Sequence, residues 1–226
     1  MRPSGRVFRR KISSGFNSTQ RSAAVRKFTI LQNSYLRQNT RALYHTEYVG
    51  FQNPGNPDYI NTLKNTFNST SDFVLNEAVQ MLKDVLMEDL PQIPNLVNLN
   101  TMTVCVVPRA KSRHLPKQQL FRTTVGNVLS QMYDYQDGTG FITRHTNTRT
   151  THLRKPMKNF INDGKLPYPG ITEDTCRISR DVAGRDILLI DDIYTKSVNI
   201  DEDAIQALLN NGARSVVFYA VGHTRR

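Results

Sequence analysis

Residues 187–199, ILLIDDIYTKSVN, constrain this chain more than any other stretch. Four apolar residues, Ile187 to Ile190, run into the adjacent carboxylates Asp191 and Asp192, and a small polar turn follows. Beyond it Ile200, Ala204, Ile205, Ala207, Leu208 and Leu209 recur at helical spacing, and Asn211-Gly212 is a stop signal. A second apolar run, Val216 to Val221, closes the unit. A strand apolar on both faces, then a helix, then another such strand predicts a parallel βαβ unit. Asn199 and Glu202 have capping-box spacing, which predicts a helix start near Ile200.

Position gives the turn its chemistry. Ligands of open α/β sheets bind at the carboxyl ends of the strands, and the acid pair is expected there, just past Ile190. A helix N-terminus offers unpaired N–H groups and a favourable dipole for a phosphate. Lys196 adds a cation, and Thr195, Ser197 and Asn199 add donors. Carboxylates for hydroxyls or a metal, beside a cradle for a monophosphate, suit a phosphorylated sugar. A solvated turn or a helix cap is the plainer alternative for two acids at a strand end. There is no GxxxxGK[ST] nucleotide loop and no GxGxxG fingerprint.

The stretch resembles the phosphoribosyl pyrophosphate (PRPP) motif of the type I phosphoribosyltransferases. That motif has four apolar residues, two acids, two apolar or aromatic residues, and a Thr-Thr-Gly-x-Thr-like loop. The apolar lead, the acid pair, Tyr194 and Thr195 fit. Lys196 stands where a small residue is usual, Ser197 where Gly is usual, and Asn199 where Thr is usual. The resemblance implies an α/β fold with a parallel sheet flanked by helices. It implies transfer of 5-phosphoribosyl from PRPP to a nitrogenous acceptor, with Mg2+ and release of pyrophosphate. By the same resemblance Asp191 and Asp192 hold the ribose hydroxyls, directly or through the metal. Thr195, Lys196, Ser197, Val198 and Asn199 hold the 5′-phosphate. A homodimer is a frequent state in the family. A pseudoenzyme that keeps the site without turnover is the alternative within it.

The run around residues 102–107 predicts the first core strand, followed by Pro108-Arg109-Ala110-Lys111. In the family the loop after this strand contacts pyrophosphate, which implies that role for Arg109, Ala110 and Lys111. Arg113 is a further cation in that loop. Cations are what a multiply charged anion needs, and Arg is the better fork for phosphate oxygens. A surface basic loop is the plain alternative. A helix is expected over 117–133, buried through Phe121, Val125, Val128, Leu129 and Met132. Residues 143–155, TRHTNTRTTHLRK, are dense in cations and hydroxyls and are expected to be exposed. Their spacing is similar to the Arg- and Thr-rich stretch of the ComF-type, amidophosphoribosyltransferase-like branch. This implies a flap or hood in which Arg144 and Arg149 face the ligand, while His145 and His152 are solvated. Residues 162–170, NDGKLPYPG, read as turns, and 175–182 as a strand. No His/Cys spacing suggests zinc.

The rest of the chain carries no such motif. Net charge is +11, and residues 1–45 hold ten Lys or Arg and no acid. Residues 1–27 read as a basic, flexible arm. A solvated tail, a nucleic-acid arm neutralising phosphates and a transit peptide all fit it. Residues 28–95 read as an N-terminal extension, with a helix over 72–90 buried through Phe73, Val74, Ala78, Met81, Leu82, Val85, Leu86 and Leu90. Residues 96–226 are the transferase-like domain. With no apolar run of membrane length and no secretory leader, the expected location is the cytoplasm. Cys105 and Cys176 are expected as buried free thiols. A second function class stays open: a PRPP- or nucleotide-sensing regulator whose basic arm binds nucleic acid.

Overall fold

The computed structural model describes residues 25–150, 162, 170–171 and 174–225. Strand β1 (Arg26–Ile30) and strand β2 (Thr40–Tyr48) come first, then helices α1 (Tyr59–Lys64), α2 (Asp72–Asp89) and α3 (Ile93–Val97). Next are β3 (Met102–Val106), α4 (Leu120–Leu129), β4 (Tyr135–Asp137), β5 (Ile142–Arg144) and β6 (Cys176–Ile178). The chain closes with β7 (Asp186–Tyr194), α5 (Ile200–Asn210) and β8 (Ser215–Thr224). The main sheet has six strands in the order β1-β2-β8-β7-β3-β4. All its pairings are parallel except β1 with β2. Strands β5 and β6 form a separate antiparallel pair. The protein is thus α/β, with a mostly parallel sheet between helical layers.

Side-chain alternation feeds two cores. Val104, Val106, Leu188, Ile190, Val217 and Tyr219 face α1 to α4, whose Ile60, Leu82, Leu86 and Val125 lie against them. Cys105, Leu189, Phe218 and Ala220 face α5, whose Ala204, Ile205 and Leu208 cover them. This double burial is why β3, β7 and β8 read as unbroken apolar runs. Each buried Val, Leu or Ile contributes roughly 1.5–3 kcal/mol relative to exposure. Both cysteines are free and buried, and burial pushes the Cys105 thiol up to about 12. No described helix is long and apolar enough to cross a membrane.

Several elements differ from expectation. Strand β7 runs on through Asp191 and Asp192 to Tyr194, because β8 extends far enough to pair Tyr194 with His223. Residues 26–48, read as the end of an arm and part of an extension, supply two strands, and β2 pairs with β8 at the heart of the sheet. The expected division at residues 95 and 96 is therefore crossed by the sheet itself. Helix α2 has the expected span, but Phe73, Val74 and Met81 are exposed. Its buried stripe is Leu75, Ala78, Leu82 and Leu86, a narrower face than the apolar content suggested. Helix α4 is shorter than expected, since Pro116 to Gln118 forms a separate 3-10 turn. The stretch expected as a strand over 175–182 splits into β6 and a 3-10 turn, Arg180–Val182, started by Ser179 accepting from the Asp181 N–H. Residues 1–24 and most of 162–170 lie outside the described residues.

Candidate functional site

The sheet places its crevice by topology. Strands β3 and β7 are neighbours, yet α4 after β3 packs on one face and α5 after β7 on the other. Where the following helices diverge, the loops at the strand ends part and leave a crevice. The two loops there are Arg109 to Gln118 and Thr195 to Asn199. They are the segments singled out for pyrophosphate and for the 5′-phosphate.

Asp191 and Asp192 stand on adjacent strand positions and meet different layers. The Asp191 carboxyl hydrogen-bonds the Asp201 carboxyl in the first turn of α5, and its Oδ1 accepts from the Asp192 N–H at 2.7 Å. Burial, then the charge of Asp192, lifts the Asp191 carboxyl to about 7, against the pull of these hydrogen bonds and of Lys64. The Asp192 Oδ2 lies 3.2 Å from the Nζ of Lys64 on α1.

The loop after β7 is a tight turn, with the Val198 N–H donating to the Thr195 carbonyl at 2.9 Å. Lys196 and Ser197 are exposed. Thr195 and Thr224 share a hydroxyl hydrogen bond of 2.7 Å. The positive φ of this loop falls on Asn199, at 60°, and not on Ser197. Asn accepts the left-handed region far better than Thr does, and Ser197 is asked for nothing that only Gly can supply. The helix starts at Ile200 as expected, but no capping box forms. Asn199 Oδ1 instead accepts from Asn33 Nδ2 at 3.1 Å, and Glu202 turns inward to accept from the Tyr194 hydroxyl at 2.9 Å. Asp201, Glu202 and Asp203 are all buried, and burial raises all three carboxyls.

The β3 loop is half-buried. Arg109 Nη1 donates to the Gln118 carbonyl at 2.7 Å. Burial lowers the Arg109 pKa, and the nearby charge of Asp192 opposes that shift. The Ala110 carbonyl accepts from the Thr148 N–H at 2.8 Å, and the Lys111 carbonyl accepts from His114 Nε2 at 2.7 Å. Asn147 Oδ1 accepts from the Ser112 N–H at 2.9 Å. The start of the Arg- and Thr-rich segment is therefore stitched to this loop.

Arg144 is the clear correction. It was expected exposed and facing the ligand, and it is buried at 8% exposure. Its Nε donates to the Arg109 carbonyl at 2.6 Å and its Nη1 to the Gly170 carbonyl at 2.9 Å. It is a strut under the loop. Arg149 and His145 are exposed, and His152 lies outside the described residues.

The sequence reading missed Lys64 and Asp201. Nothing local marks Lys64, a lysine closing a six-residue helix. Asp201 carried a faint signal, since acids in a first helical turn ordinarily answer the dipole. No group of three or more His, Cys, Asp or Glu side chains suited to a metal occurs among the described residues. Searches with family models and against curated proteins found no match to the chain.

Proposed function

We propose that the protein is a phosphoribosyltransferase, displacing pyrophosphate from PRPP with a nitrogenous acceptor. One observation carries the reading. The loops after β3 and β7 flank the crevice where α4 and α5 diverge, with Arg109 close enough to feel the charge of Asp192. A sugar lying over the acids thus has cations on one side and the turn before α5 on the other. Asp191 and Asp192 take the ribose hydroxyls. Arg109, Lys111 and the Ala110 backbone take pyrophosphate. Thr195, Lys196, Ser197, Val198 and Asn199 take the 5′-phosphate. The transition state is oxocarbenium-like, so positioning and stabilisation of the leaving group supply the rate enhancement.

Magnesium fits this donor set only through substrate. Asp191 is engaged by Asp201 and Asp192 by Lys64, so the protein offers a second layer to a metal that keeps its waters and substrate oxygens. The bound metal neutralises pyrophosphate charge.

The decisive measurement is calorimetric titration with PRPP, with and without magnesium. The expected result is magnesium-dependent binding that disappears in the Asp191→Asn, Asp192→Asn double variant. No binding at millimolar PRPP overturns the reading. A sensor with reduced turnover is the second reading, favoured by the engagement of the Asp191 carboxyl with Asp201. PRPP binding without pyrophosphate release for any nucleobase or amine selects it. Its proposed nucleic-acid partner is tested by salt-dependent binding that weakens on deletion of residues 1–24.

A further inference from the structure

We infer that Lys64, carried by α1, belongs to the anion-binding wall of this crevice and takes a phosphate oxygen of the pyrophosphate group. The inference rests on the phosphoribosyl reading and adds to it a residue from a part of the chain that carries no motif.

Three observations converge on Lys64. Its ammonium lies 3.2 Å from Asp192, and both side chains keep 23% exposure, so the pair is reachable from the crevice. Arg109 acts on the same carboxylate from the β3 loop. Two cations thus act on one carboxylate at the edge of the crevice. The neighbouring Lys117 is already engaged, 2.5 Å from Asp72.

The end of α1 is also fixed to the β3 loop. Gln118 Nε2 donates to the Asn65 carbonyl at 3.3 Å and to the Thr66 carbonyl at 3.0 Å. Asn65 Nδ2 donates to the Lys117 carbonyl at 3.4 Å, and Arg109 holds the Gln118 carbonyl. Asn65 closes α1 in the left-handed region, with φ 36°. Lys64 and Arg109 are therefore held as one assembly. A partly exposed ion pair is a weak tether, so Lys64 can leave Asp192 for an anion of higher charge. That exchange would free Asp192 for a ribose hydroxyl as pyrophosphate binds.

The test is calorimetry on the full chain with inorganic pyrophosphate and, separately, ribose 5-phosphate, using wild type, Lys64→Gln and Lys64→Arg. Lys64→Gln is expected to weaken pyrophosphate roughly tenfold, as loss of one charge-assisted hydrogen bond does, and to leave ribose 5-phosphate unchanged. Lys64→Arg restores most of the pyrophosphate affinity. Unchanged pyrophosphate affinity in Lys64→Gln overturns the inference and leaves the phosphoribosyl reading standing. A loss confined to ribose 5-phosphate also overturns it, since Lys64 would then only position Asp192. A wild type that binds neither ligand overturns both.

Discussion

The carboxyls of Asp191, near the end of β7, and Asp201, in the first turn of α5, are hydrogen-bonded to each other. Such a bond needs a proton, and burial keeps it there: Asp191 is lifted to about 7 and Asp201 well above its ordinary 3.8. An acid whose folded pKa is raised makes the folded state hold more protons than the unfolded one. Stability therefore falls as pH rises from about 4 through 7. Glu202 and Asp203 act with the same sign, while His114 and His223, pushed down by burial, act oppositely below 6.5. Asp186, held low mainly by its hydrogen bond with Arg214, acts only below 3.8. Asp201→Asn removes one carboxyl and keeps a donor for Asp191. The loss of melting temperature between pH 5 and pH 8 is expected to be smaller in this variant than in wild type. Comparing the two cancels the other groups.

Arg144 is a strut. Replacing it with Ala takes its donor from the part-buried Arg109 carbonyl, while the buried Gly170 carbonyl keeps the Thr175 hydroxyl. The expected cost is roughly 1–3 kcal/mol, the cost of about one unsatisfied group. Lysine should not rescue it, because one ammonium cannot reproduce the planar fork. Urea unfolding of both variants checks this. A variant of full stability and weakened PRPP binding would instead return Arg144 to the role first expected of it.

Asp89 is fully buried and accepts at Oδ2 from the Tyr219 hydroxyl at 2.7 Å and from His45 Nδ1 at 3.1 Å. Its Oδ1 has no hydrogen-bond partner among the described residues. Tyr219→Phe removes one of the two donors and is expected to destabilise by roughly 1–3 kcal/mol. PRPP affinity measured well below the melting temperature should not change.

Gly222 sets how closely α1 approaches the sheet. A Cβ there would meet Tyr48 Cβ at 3.3 Å and Ile60 Cδ1 at 3.4 Å. Valine at this position overpacks the contact, at a cost of roughly 1–3 kcal/mol, and pushes α1 outward. Pyrophosphate affinity is expected to fall in parallel with stability, because Lys64 moves with α1. Alanine should cause a smaller change in both, as read by chemical denaturation and calorimetry.

What could be read in advance follows from how local each signal is. The β7–α5–β8 unit was legible because burial on two faces writes an apolar run, and helical spacing then writes the next element. The end of β7 was not, because two carboxyls look like a turn unless the partner strand is known to continue. Strands β1 and β2 were obscured by the charges of an edge: Arg26 and Lys27 are exposed, while Leu43 supplies the core. On α2 the apolar residues outnumber the buried positions, so Phe73 and Met81 could not be told from Leu82. Arg144 has no sequence signature that separates a strut from a ligand contact, since both are single arginines among polar neighbours. Asp192 was named early, but its partner Lys64 lies far off in sequence, and only the parallel pairing of β2 with β8 brings that region to the site.

The short β5–β6 pair fastens both ends of everything between Arg144 and Cys176, with those two residues opposite each other in register. Once the ends of a segment are clamped, changing its length costs little: doubling it adds only about 0.6 kcal/mol of closure entropy. The clamp therefore fixes where the chain leaves the fold and where it rejoins it, whatever the length of what lies beyond.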